Sequence, residues 1–411
     1  MTAPTSSDCD ILINGGGMVG LALALGLAQE GFSVAVLDAQ PALPAPGILR
    51  GERDNAEFDA RVSALTAASQ RWLQQLGVWE ELEKLRVCAY RDMEVWDADG
   101  TGDIHFAAEE VHAASLGHIV ENRLLCSVLQ DALRKEPRVA LHQQVLTGIR
   151  FAEQATERTT VETEAGLVLR CRLLIGADGG NSRVRELAGF ATRRWSYAQQ
   201  AIVCTIRSEK PHRHTAWQRF MQSGPLAVLP LQLPQADSQH FSSIVWSCDE
   251  PRAAELLALS DAAFDQALTE AFEAKLGAMN VQGARYKFPL TQQHAAEYCR
   301  VGVVLAGDAA HTIHPLAGQG VNLGFADAAC LVQVLKEARG RGENIADLPT
   351  LSRYQRQRKG PNLAMMALME GFKRCFGSDN LALRWLRNSG LRIANQHSGL
   401  KRLLIQQAMG F

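Results

Sequence analysis

No stretch of this 411-residue chain approaches the roughly eighteen consecutive apolar residues of a bilayer-crossing helix, so nothing in it reads as a transmembrane span. The residues before Asp8 are few and polar, with no basic segment running into an apolar one, and no signal peptide is expected. The nine cysteines, at 9, 88, 126, 171, 204, 248, 299, 330 and 375, contain no CxxC pair. An odd, dispersed set points to reduced thiols and a cytoplasmic setting. Low-complexity tracts and internal repeats are also missing, and the stretch best suited to mobility is the Pro- and Gly-rich 41–54. With 47% hydrophobic and 21% charged residues and a net charge of −2, the chain has the make-up of a globular protein, long enough to bury two interlocked cores.

What is present begins with a strand-turn-helix signal. Residues 10–14 (DILIN) are an apolar run of strand length, Gly15, Gly17 and Gly20 follow at GxGxxG spacing, and residues 21–28 are good helix formers. The first glycine permits a tight turn, the second lets backbone approach a pyrophosphate, and the third lets helix and strand pack closely. An anion then sits on the helix N-terminus. Gly31 stops the helix, and residues 33–37 (SVAVL) read as a second strand ending in Asp38, at the offset where a carboxylate holds ribose hydroxyls.

Two further segments gather polar groups at strand ends. In LLIGADGGNSRVR (173–185) an apolar strand runs into Asp178 and Gly179, then Ser182, Arg183 and Arg185 open a helix. On these residues alone the turn is either a ligand site or a capped strand-to-helix turn with solvated arginines. In GDAAHTIHPLAGQGVN (307–322), directly after the apolar run 301–306, Pro315, Gly318, Gln319 and Gly320 precede a helical run from Val321. The amides of that turn and the positive end of the helix dipole face whatever lies at its mouth. His311 and His314 lack a third ligand at suitable spacing, so no metal site is expected.

Taken together, the glycine motif with its distal acid, the DG pair at Asp178 and Gly179 and the GD pair at Gly307 and Asp308 resemble, in order and spacing, the class A flavoprotein aromatic hydroxylases. DARVSALTAASQRWLQQLGVW (59–79), MEVWDADG (93–100), LGHIVENRLL (116–125) and the block from 307 are similar to the aerobic ubiquinone-biosynthesis monooxygenases. MEVWD, SIVWS (243–247) and QQAMG incline the resemblance to the branch that hydroxylates C5 of a polyprenylphenol, while sister enzymes acting at C6 or C1 share most of these blocks.

The resemblance implies an α/β fold: a Rossmann-like FAD-binding domain of the para-hydroxybenzoate hydroxylase kind, a sheet-containing substrate domain and a helical C-terminal region. The expected division is 1–185 with 286–349 for FAD, 186–285 for substrate, and 350–411 as the basic helical part. FAD is the implied cofactor, with NADH or NADPH as donor and O2 as oxidant, acting through a C4a-hydroperoxyflavin. Gly15, Gly17, Gly20, Asp38, Asp178, Gly307, Asp308 and Asn322 are the implied FAD-binding positions. Asp308 meets the ribityl chain, and the loop with Pro315, Gly318, Gln319 and Gly320 meets the flavin ring, where a helix N-terminus favours an anionic reduced flavin. Arg61 and Arg123 are similar to the arginines that reach the pyrophosphate and ribityl region, the alternative for each being a solvated side chain. No side-chain base is assigned; His311 shapes the loop, with proton handling as the lesser reading. One glycine-motif nucleotide fold is visible, so the nicotinamide donor visits without a Rossmann domain of its own.

A substrate domain must shield the reaction from water. Residues 201–207, 220–233 and 241–246 read as strands, and Trp217, Phe220, Trp246 and Phe288 either line an apolar pocket or are plain core. From 350 to 411 there are eleven Lys and Arg against two acidic residues, a surplus of nine; the total of −2 leaves −11 for the rest. Segments 363–376 and 381–395 have helical apolar spacing among these basic residues. They suit transient contact with an anionic membrane surface or packing on the flavin domain. Nucleic acid is not expected, because the basic residues are interleaved with apolar faces and the chain is otherwise acidic. The expected substrate is a hydrophobic polyprenylphenol. A soluble aromatic acid as substrate, or a role as an assembly component among ubiquinone-biosynthesis proteins, are the alternatives; a homo-oligomer is compatible with all of these. The expected location is the cytoplasm, peripheral at the inner face of the membrane.

Overall fold

The structure, a computed structural model, describes residues 6–46, 58–98, 102–233, 238–313 and 320–376, and positions 397, 399, 401–402, 405–406 and 409–410. The chain opens with β1 (Ser6–Asn14), α1 (Met18–Gln29) and β2 (Val34–Asp38). It continues through β3 (Val62–Leu65), α2 (Ala67–Gln75), α3 (Trp79–Glu83), β4 (Cys88–Tyr90), β5 (Asp92–Asp97), β6 (Asp103–Ala107) and β7 (Gly117–Glu121). Next come α4 (Asn122–Arg134), β8 (Val139–Gln143), β9 (Leu146–Arg150), β10 (Thr159–Thr163), β11 (Val168–Gly176) and α5 (Arg183–Leu187). A second run holds β12 (Thr192–Ser208), β13 (Thr215–Phe220), β14 (Leu226–Pro230), β15 (Phe241–Asp249), α6 (Glu250–Ala258), α7 (Asp261–Ala271) and β16 (Met279–Ala295). The last elements are β17 (Cys299–Arg300), β18 (Val303–Leu305), β19 (His311–Thr312), α8 (Gly320–Gly340) and α9 (Leu348–Phe376).

These elements make the α/β architecture expected from the sequence. The first sheet runs β17-β18-β11-β1-β2-β8, with β9 and β10 attached beside β11. Its central pairs β11/β1, β1/β2 and β2/β8 are parallel. Both faces of this sheet are covered, which is why Ile11, Leu12 and Ile13 form an unbroken apolar run with no exposed surface rather than an alternating one. Helix α1 is buried continuously from Gly20 to Ala28, packed between this sheet, α4 and α8.

The second sheet runs β19-β16-β12-β15-β14-β13-β5-β6 and is antiparallel except for the parallel β13/β5 pair. Its strands alternate sides. Ile202, Cys204, Ile244, Trp246 and Cys248 face a core shared with α6 and α7, while Ala201, Val203 and Val245 face the other way. Two features depart from the expected division of the chain. Strands β5 and β6 lie within 1–185 yet pair into this second sheet, and β16 crosses the expected boundary at 286 as one continuous strand. Cross-strand hydrogen bonding outweighs sequence proximity here, so the two halves are interlocked.

Helix α9 spans both. Leu351 and Tyr354 lie in the first core, and Met365 and Met369 pack on Phe220, Val95 and Ile104 of the second sheet. Near the terminus Ile405 and Met409 pack with Ala108 and Leu116, and Lys401 pairs with Glu110 at 2.7 Å. Packing is therefore the observed role of these described C-terminal positions; segment 381–395 and most of 41–54 lie outside the described residues. No helix among the described residues is long and apolar enough to cross a membrane.

Candidate active site

A cavity of about 1050 Å3 lies where the carboxyl ends of β1, β2 and β11 meet the second sheet. Its backbone wall is the glycine turn. Gly15 has φ +119°, and a side chain there would put its Cβ 2.3 Å from the Ala177 carbonyl oxygen. A Cβ at Gly20 would lie 1.9 Å from the Gly15 carbonyl oxygen, so α1 sits directly against the strand. Gly17 is the N-cap of α1 and lines the cavity, leaving the helix N-terminus open to it. Gly20 does not line the cavity, and its part is to let that helix come close.

Asp38 ends β2 in the cavity wall, its carboxylate accepting the amides of Gly16 and, at 2.6 Å, Gln40. Asp178 lines the cavity too. One oxygen accepts from Asn14 Nδ2 (2.8 Å) and from the amides of Arg183 (2.7 Å) and Val184 (3.3 Å), capping α5. Its other oxygen is buried without a partner. Capping and ligand contact are thus compatible at the DG turn, because different oxygens are available for each. Arg185 donates to the carbonyls of Gly180 (2.7 Å) and Ala309 (2.9 Å), tying the DG turn to the GD turn.

Arg61 reaches the cavity, with its guanidinium 5.2 Å from the centre of the Phe288 ring. Arg123 does not line it: its side chain is exposed and its amide donates to Asp59 Oδ2 (3.1 Å), while its neighbour Asn122 does line the cavity. That places Arg123 with the solvated alternative. Asp308 opens onto the cavity but is ringed by protein mass, and burial pushes its carboxyl above the usual range while His311 and Arg61 pull it back. Gly307, at φ +59°, lies behind the wall and donates its amide to Asp327 Oδ2 (3.1 Å). Gly320 and Val321, the first described turn of α8, line the cavity; Pro315, Gly318, Gln319 and His314 lie outside the described residues.

One expectation is corrected, and two that carried alternatives are narrowed by the positions observed. Asn322 is buried behind the wall, its Oδ1 accepting from the Thr66 amide (3.0 Å) and Ser69 Oγ (2.7 Å) and its Nδ2 donating to Ala64 O (2.8 Å). Its side chain pins α8 to the start of α2. His311 is buried with its Nε2 2.5 Å from Asp327 Oδ2, so it shapes the GD turn and does not face the cavity as a base. Of the four aromatics only Phe288 lines the cavity. Strand parity turns Trp217 and Trp246 into the helix-covered core; Phe220 shares the cavity's face of the sheet but lies on β13, two strands beyond β15, where it packs with Met369 of α9. The cavity wall that sequence reading missed is aliphatic: Ala201, Val203, Val245 and Leu290. Alternation within 201–207 and 241–246 was the available signal, though which parity faces inward is not written there. Asp327 and Arg358, hydrogen-bonded behind the GD turn, were missed because an acid in mid-helix and a basic residue in a basic tail look like solvated charges.

The group tested by this geometry is a flavin dinucleotide. A helix N-terminus cleared of side chains, carboxylates at Asp38 and Asp308, an unpartnered oxygen on Asp178 and a cation at Arg61 suit a pyrophosphate flanked by sugar hydroxyls. Among the described residues no cluster of three or more His, Cys, Asp or Glu is placed to hold a metal ion.

Comparison with known proteins agrees. The sequence matches the family described as FAD binding domain over residues 8–366. It is 39% identical over 406 residues to the 3-demethoxyubiquinol 3-hydroxylase of Escherichia coli (strain K12), covering 99% of this chain and all of that one. It is 34% identical to the ubiquinone hydroxylase UbiL of Rhodospirillum rubrum, covering 100% of this chain and 91% of the relative. Among solved structures, p-nitrophenol 4-monooxygenase PnpA from Pseudomonas putida DLL-E4 superposes with a TM-score of 0.77 at 21% identity, over 98% of each chain, which speaks to fold alone.

Proposed function

The chain belongs to the FAD-dependent hydroxylases of ubiquinone biosynthesis, within the FAD-binding-domain family, and on that premise we propose that it hydroxylates the aromatic ring of a polyprenylated ubiquinone precursor. The observation that carries the proposal is one continuous cavity, with the nucleotide turn at one wall and aliphatic residues of the second sheet at the other. An apolar ring is matched by Ala201, Val203, Val245, Phe288 and Leu290, beside the polar Ser243 and Thr291; none of these described cavity-lining residues of the second sheet is charged.

Bound FAD supplies electrons taken from NAD(P)H and activates O2 for transfer of one oxygen atom to an electron-rich ring. The residues present would hold it in stated ways. Gly15 and Gly17 let backbone approach the pyrophosphate with the N-terminus of α1 behind it, Asp38 takes ribose hydroxyls, and Arg61 adds positive charge. Asp308 takes ribityl hydroxyls, and the start of α8 at Gly320 favours negative charge at the ring, by on the order of 0.3 to 2 kcal/mol. The second sheet's wall excludes water while the oxygen is carried over.

For the ring position we favour the one named by the 39% identical relative, a demethoxyubiquinol ring hydroxylated where its methoxy group is missing. The second reading is C5 of a polyprenylphenol, which the segments MEVWD, SIVWS and QQAMG favour. FAD-loaded protein given NAD(P)H, O2 and short-chain analogues of both substrates should convert one of them to a product heavier by one oxygen atom, identified by mass spectrometry. Peroxide release with no hydroxylated product from either analogue would overturn the proposal, and turnover of soluble aromatic acids in their place would move it to another substrate class.

A further inference from the structure

Asp327, in the middle of α8, has no exposed surface and sits at the centre of a polar cluster behind the cavity. Its Oδ2 accepts the Gly307 amide at 3.1 Å and meets His311 Nε2 at 2.5 Å. Its Oδ1 meets Arg358 Nε at 2.7 Å and Asn362 Nδ2 at 3.1 Å, both from α9. Arg358 Nη2 also donates to Asn362 Oδ1 at 2.9 Å, which fixes the fork of the guanidinium. A buried carboxylate with this many partners is costly to disturb, since removing one leaves an uncompensated charge in a low dielectric. Burial alone would raise its carboxyl, but His311 and Arg358 more than offset that and hold it below the usual range.

Neither Asp327 nor Arg358 lines the cavity, so neither touches what binds there. What they touch is the segment that does. Gly307 immediately precedes Asp308, whose carboxyl faces the cavity and feels the charge of His311. Thr312 and Ile313, the next residues after His311, are again in the cavity wall. The cluster therefore grips the segment 307–313 at its first residue and at His311, with α9 bracing it from outside.

We infer that Arg358 and Asp327 are positioning residues of the flavin site: through them α9 fixes the Gly307 amide and the His311 ring, and so sets Asp308, Thr312 and Ile313 in the cavity wall. This rests on family membership and not on the identity of the substrate ring, so its failure would leave the hydroxylation proposal standing.

The test is FAD affinity of the full-length apoprotein by fluorescence titration, read beside the visible flavin spectrum of the reconstituted protein and its thermal unfolding. Arg358→Gln and Asp327→Asn should each raise the FAD Kd about tenfold, the scale seen when an outer partner of a binding group is removed, and shift the flavin bands. Arg358→Lys keeps the charge but loses the fork, and should fall between wild type and Arg358→Gln. Met369→Ala, on the far half of the same helix, should lower the unfolding temperature without changing Kd. Folded Arg358→Gln with unchanged Kd and spectrum would overturn the inference. Should Arg358→Gln and Asp327→Asn not fold, Arg358→Lys decides it: a Kd raised roughly twofold or more supports the role, an unchanged Kd refutes it.

Discussion

One wall of the cavity is built from backbone and the other from side chains. On the nucleotide wall Gly15, Gly17 and Gly320 contribute by what they lack, and the acids Asp38 and Asp308 stand at the ends of strands or in turns fixed by that backbone. On the sheet wall Ala201, Val203, Val245 and Leu290 contribute volume from the paired strands β12, β15 and β16. The difference sets what each wall tolerates. Where backbone packs on backbone, as at Gly15 and Gly20, an added methyl is felt at once; a side-chain wall changes shape by substitution while its ladders persist. The first wall suits an invariant cofactor, and the second suits a site whose substrate is to be selected.

The sharpest way to break this contrast is Gly20→Ala. Its Cβ would lie 1.9 Å from a backbone oxygen with nowhere to go, so α1 must move off the strand. The purified variant is expected to be colourless and not to recover flavin absorbance on adding FAD; a yellow variant would show that the backbone wall is softer than described. Next in size is Trp246→Ala. This side chain is 3% exposed in the helix-covered core, its ring tilted against Phe264 at 5.9 Å, and its loss should cost about 3–5 kcal/mol in a denaturant titration. FAD affinity of the protein that stays folded should be unchanged.

Legibility in the sequence followed the same line. The backbone wall was readable because its chemistry needs glycine and aspartate at fixed offsets: Gly15, Gly17, Asp38, Asp178, Asp308 and Gly320 all reach the cavity. The α/β class followed from the same strand-turn-helix signals. On the sheet wall, strands were readable and their facing was not, since adjacent residues point to opposite sides: Val245 lines the cavity while Trp246, its neighbour, is core. Large aromatics attracted attention there, yet of the four only Phe288 lines the cavity, beside Ala201, Val203, Val245 and Leu290. Arg123 and Asn322 misled for another reason, being one residue from a cavity-lining position, Asn122 and Val321, with side chains turned elsewhere. Long-range pairing hid β5 and β6 in the wrong half, and the Asp327 to Arg358 pairing joins residues 31 apart on two helices, a register that no local pattern encodes.

Acid should show whether the two walls belong to one cooperative unit. Burial lowers His212, in the second half, to about 4, and does the same to His118, beside Trp79 of the first core, and to His294, at the end of β16 that joins the halves. The folded protein therefore keeps these rings neutral down to about pH 4, whereas the unfolded chain protonates them near 6.5. Between those values the unfolded state binds more protons, so stability falls as pH is lowered through that window. Because β5, β6 and β16 interlock the halves, a single transition moving to lower temperature is expected. Two separating transitions, followed by flavin release and by tryptophan emission, would mean that the walls fold independently.

The smallest effect in stability, and the most direct test of the side-chain wall, is Phe288→Ala. Phe288 is half-buried, faces the cavity and carries Arg61 over its ring, so truncation removes contact with whatever occupies the cavity while β16 keeps its ladder to β12. A side chain that already meets an open cavity leaves no closed void behind, so its removal should cost well under the about 3–5 kcal/mol expected at Trp246. The KM for the prenylated substrate should rise about tenfold, equivalent to about 1.4 kcal/mol of lost uniform binding, with kcat little changed. The ratio of hydroxylated product to NAD(P)H consumed separates this from damage to the flavin site: a wall residue that only holds the ring should alter KM at near-constant coupling. A fall in coupling at unchanged KM would instead assign Phe288 to water exclusion, and an unfolding cost equal to that of Trp246→Ala would remove the distinction between the two faces of the sheet.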